Sequence, residues 1–71
     1  EAVKMLEARV KVAPNDPALR IRLAAGYLSI GQRAKSIATL QEIGKLFPDT
    51  QKEIDYYIKE IQAGRDPTKA Q

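Results

Sequence analysis

The chain contains neither cysteine nor histidine. The first absence excludes disulfides, although it says little about redox compartment. Without either residue a zinc site would need carboxylates alone, which suit hard cations better, and no acidic cluster shows the spacing of a calcium loop. No glycine-rich phosphate loop is present and no serine stands beside a base. Its nine acids lie mostly at helix caps or in helix-spaced pairs with lysine, such as Glu7 with Lys11 and Asp55 with Lys59. The expectation is a protein with no catalytic residues, no metal and no cofactor, hence not an enzyme. Long apolar runs are also missing. Nothing approaches the roughly 18 residues of a membrane-spanning helix, and the first residues lack a signal-peptide pattern, so no membrane insertion is expected.

Charge of one sign is present in slight excess. The formal net charge is +3 and the isoelectric point about 9.4. That excess is diluted, because Arg9, Lys11, Arg33, Lys35 and Lys45 are interleaved with Glu7, Glu42 and Asp49. A mixed, solvated surface follows, and no nucleic-acid partner is expected. Leu, Ile, Val and Phe make up 17 of the 71 residues, which places the chain outside the disordered class. A chain this short has room for one small domain whose core is marginal on its own.

What the sequence does contain is a repeat. A shift of 34 residues lays Val3 on Ile37, Leu6 on Leu40, Lys11 on Lys45, Val12 on Leu46, Pro14 on Pro48 and Asn15 on Asp49, with Ala2 on the similarly small Ser36. The same shift carries Leu23 onto Tyr57, Ala24 onto Ile58 and Tyr27 onto Ile61. Small falls on small and apolar on apolar.

Helix signals are in phase with it. Val3, Leu6, Val10 and Ala13 recur at the three-and-four spacing of a helix over residues 2–12, which Pro14 then stops. Asp16 before Pro17 reads as an N-cap with proline in the first helical position. A second helix runs from there to about Ile30, where Gly31 supplies the left-handed residue that closes a helix. A third spans roughly Ala34 to Phe47 with Ile37, Leu40, Ile43 and Leu46 inward, and Pro48 ends it. Thr50 with Glu53 reads as a capping box opening a fourth helix, which carries Ile54, Tyr57, Ile58 and Ile61 inward and stops at Gly64. The tail over residues 65–71 is polar and expected to be flexible. Adjacent Tyr56 and Tyr57 point about 100° apart on a helix, so one belongs to the core and the other to the surface.

Four helices joined by short turns with a period of 34 indicate an all-α array of antiparallel helical hairpins. Residues 17–50 resemble one complete tetratricopeptide repeat. The large, small and aromatic positions of the first helix are met by Leu23, Ala24 and Tyr27, the turn glycine by Gly31, and the apolar and closing proline positions by Leu40 and Pro48. Residues 1–14 resemble the second helix of a preceding repeat, and residues 50–64 the next first helix or a capping helix. Arg20, Ser36, Arg9 and Ile43 depart from the family pattern. Arg20 is expected to lay its stem along a neighbouring helix and keep its charge wet.

The resemblance implies a right-handed solenoid fragment over residues 1–64 whose first helices line a concave groove for a peptide or helix of a partner protein. A helical wheel centred on Leu23, Ala24 and Tyr27 puts Ala18, Ile21, Arg22, Ala25, Leu28 and Ser29 on that flank. Ile21, Ala25 and Leu28 form an apolar strip, and the matching face of the fourth helix offers Lys52, Asp55, Tyr56, Lys59 and Gln62. Only Arg22 matches a position used by family members that clamp a terminal carboxylate, and its companions are Ala18 and Ala25, so no such clamp is expected. The alternative is a structural segment that caps its parent's solenoid, with Ile21 and Leu28 packed on another helix. The first helix has more apolar residues than one face needs, Ala2, Met5 and Val12 lying to the side. From this, self-pairing into a homo-oligomer at high concentration is expected.

Overall fold

The computed structural model describes residues 3–67, so Ala2 and residues 68–71 of the expected tail lie outside the described residues. It is all-helical, with α1 Val3–Val12, α2 Pro17–Ser29, α3 Arg33–Leu46, a single 3-10 turn Pro48–Thr50 and α4 Gln51–Gln62. No strand occurs among the described residues. Proline and glycine set the boundaries. The Asp16 carboxylate accepts from the Ala18 N–H at 3.0 Å ahead of Pro17, capping α2 as its sequence requires. Gly31 has φ 81°, and the N–H groups of Gly31 and Gln32 return to the carbonyls of Leu28 and Tyr27. That is a Schellman closure, and α4 ends in the same way at Gly64, φ 87°, with Arg65 N–H on the Glu60 carbonyl.

The start of α4 departs from the expected capping box. Thr50 sits at φ −93°, ψ 3°, not in the extended conformation an N-cap needs, because Pro48 has already opened a 3-10 turn. Its hydroxyl donates back to the Phe47 carbonyl at 2.7 Å, and Glu53 accepts from Tyr57. Leu46 likewise departs, being 50% exposed although expected inward. Gly44 takes the buried place in that turn, lying so close beneath Gln51 that a Cβ would stand 2.7 Å from the amide oxygen.

Contacts show that each helix runs back along its predecessor. Val3 of α1 lies against Gly26 near the end of α2, while Ala13 and Leu19 line one recess at the other end. Across α2 and α3, Arg20 pairs with Glu42 and Lys35 lies over Tyr27. Across α3 and α4, Gly44 meets Gln51. Among the described residues, backbones approach closely only between consecutive helices. The core is built from Ala24, Leu40, Ile43, Ile54 and Ile61, with Ile21, Leu28, Ile37, Phe47, Tyr57 and Ile58 packed on it half-buried. Leu6 and Leu23 are buried as well.

Ser36, which replaces a small apolar residue in the repeat, is fully buried and donates its hydroxyl to the Ala24 carbonyl at 2.7 Å. A buried hydroxyl is costly when unpaired, so this bond satisfies Ser36 and ties α3 to the middle of α2. Arg20 lays its stem against the protein with its side chain 15% exposed, donating to the Pro14 carbonyl at 3.2 Å and facing Glu42 at 3.7 Å. The charge is paired as well as wet.

Arg20 and Tyr27 bridge both neighbours of α2, Arg20 donating to the Pro14 carbonyl and facing Glu42, and Tyr27 donating to Glu7 with Lys35 over its ring. At the corresponding positions of α4, Ile54 and Ile61 join Leu40 and Ile43 in the core, with Ile58 packed on it. Beyond α4, Arg65 forks onto the Glu60 carboxylate at 2.7 and 2.9 Å and Pro67 is buried.

Candidate functional site

The expected groove begins on α2. Placed by its contacts, α2 turns Leu19 and Gly26 to α1, Arg20 and Ala24 to α3, and Tyr27 to both. The remaining arc carries Ala18, Arg22 and Ser29, all exposed, with Ala25 half-buried between them. Ile21 and Leu28 stand at the edge of this arc, half-buried and packed on the core. They form the wall between the open face and the interior. The Ser29 hydroxyl donates to the Gly26 carbonyl at 2.8 Å and is thus already satisfied within the helix.

On α4 the expected residues Lys52, Asp55, Tyr56 and Lys59 are exposed, Tyr56 at 53%. Asp55 accepts from the Gln51 amide at 2.8 Å, beside a shallow recess shared with Gln41, Lys45 and Ile58. Tyr56 meets Tyr57 with ring centroids 5.9 Å apart and planes tilted by 54°. Tyr57 is the inner ring of the pair, as the wheel requires, and burial followed by the Glu53 hydrogen bond pushes its hydroxyl pKa up. The α2 set and the α4 set lie on helices whose half-buried residues, Ile21 and Leu28 on one and Tyr57 and Ile58 on the other, pack on the same core.

A polar cluster that the sequence reading did not single out lies where α1, α2 and α3 meet. Glu7, Val10, Lys11, Arg20, Leu23, Tyr27, Thr39 and Glu42 line a recess of about 420 Å³. In it the Tyr27 hydroxyl donates to Glu7 at 2.6 Å, and the Lys35 ammonium lies 5.7 Å from the Tyr27 ring centroid. The signal was present as an aromatic at the inward position of α2 and an acid one turn from Val3. Spacing within a helix, however, does not report a bond between two helices.

The hydrogen bond to Glu7, then burial, raise the Tyr27 pKa above its usual value. A group whose pKa is raised on folding contributes stability below its unfolded pKa and loses that contribution as pH climbs through the folded value. Tyr27→Phe is therefore expected to cost about 1 kcal/mol at neutral pH. It should also flatten the loss of stability above about pH 10, where tyrosine titrates. Urea titrations at neutral and alkaline pH check both, and an unchanged alkaline slope would refute the link. At the other end of the molecule, the Arg65 guanidinium holds the Glu60 carboxyl below the usual carboxylate range.

Among the described residues no group of acids is placed to hold a metal ion, and no helix is long and apolar enough to cross a membrane. Comparison with known proteins finds no matching family model, no matching curated protein and no matching solved structure.

Proposed function

We propose that the chain is a tetratricopeptide-like helical module, a piece of a right-handed solenoid, that binds a peptide or helix of a partner protein along the open face of α2. The observation that carries this reading is an arc of exposed Ala18, Arg22 and Ser29 with Ala25 half-buried between them, small side chains around one arginine, walled by Ile21 and Leu28. Small residues let a bound backbone come close, and the wall offers apolar contact at one edge. The 34-residue repeat and the two Schellman-closed helices support the family resemblance.

Selection from a displayed peptide library, followed by amide chemical-shift mapping, tests it. Shifts should concentrate at Ala18, Arg22, Ala25 and Ser29, and Ala25→Glu should abolish them while leaving the melting temperature within a few degrees. Shifts confined to other faces, or no selectable peptide, would overturn the groove assignment.

A second reading, a structural cap for a longer array, is favoured by the seating of α4. That helix packs its apolar face, Ile54 and Ile61, into one core with Leu40 and Ile43 of α3. Its outward residues Lys52, Asp55, Lys59 and Gln62 are exposed, as suits the polar outer face of a terminal helix.

A further inference from the structure

We draw no further inference here: the strongest candidate, the exposed apolar stripe of Met5, Ala8 and Val12 on α1 with the recess beside Leu19, carries nothing because nothing in the structure shows what covers it.

Discussion

Ile54→Ala is expected to lower the unfolding free energy by about 2–5 kcal/mol. Ile54 has no solvent exposure and is one of two fully buried residues that α4 contributes to the core. Truncation removes its transfer free energy and leaves a hole lined by Leu40 and Ile43, side chains fixed by the α2–α3 contact and therefore slow to collapse into it. A single core in a chain of this size rarely supplies more than about 3–5 kcal/mol in total. The loss is thus comparable to the whole margin. Thermal melting followed by circular dichroism should show a midpoint lower by about 10 °C or more. Leu46→Ala, at a half-exposed position of α3, should stay within about 0.5 kcal/mol of the parent. Similar losses for the two variants would mean that α4 is not seated by Ile54.

How much of this was legible in the sequence follows from which forces act locally. Helix ends were legible because Pro14, Pro17, Gly31, Pro48 and Gly64 restrict the backbone at their own positions, whatever surrounds them. The core positions of α2 and α4 were legible too, since one apolar stripe per helix identifies its inward side. The Thr50 box was not, because Pro48 imposes a 3-10 turn that occupies the threonine before it can cap. Nor was the register of α4. A stripe says which side is buried but not which neighbour buries it, so the repeat aligned Ile54 with Arg20 although one lies in the core and the other at a seam.

The candidate groove shows the same limit. Ala18, Arg22 and Ser29 are exposed on α2. Ile21 and Leu28 were placed on the strip itself, whereas they pack half-buried on the core, because where the interior begins along an arc depends on the position of α4. Contacts between helices, such as Tyr27 with Glu7 or Ser36 with Ala24, have no signature within a single helix. The Glu7–Lys11 spacing suggested a pair along one helix, but the carboxylate reaches across to another.

The Ser36–Ala24 contact sets up the second large effect. Ala24 is 2% exposed, and its carbonyl receives the Ser36 hydroxyl at 2.7 Å, so α2 and α3 touch there with no spare volume. Ala24→Leu is expected to cost about 1–3 kcal/mol through overpacking. Forcing the helices apart also lengthens the Ser36 bond, adding about 1 kcal/mol for the buried hydroxyl left without its acceptor. Ser36→Ala alone should cost about 1 kcal/mol, since it removes the donor while the Ala24 carbonyl keeps its place in the helical ladder. The two substitutions share one contact and should not add. In the double variant the leucine no longer strands a hydroxyl, so the combined loss should fall short of the sum by at least about 0.5 kcal/mol. Urea unfolding of the parent, both single variants and the double variant measures that difference. Strict additivity would show that Ala24 and Ser36 do not meet, and that a different residue fixes the distance between α2 and α3.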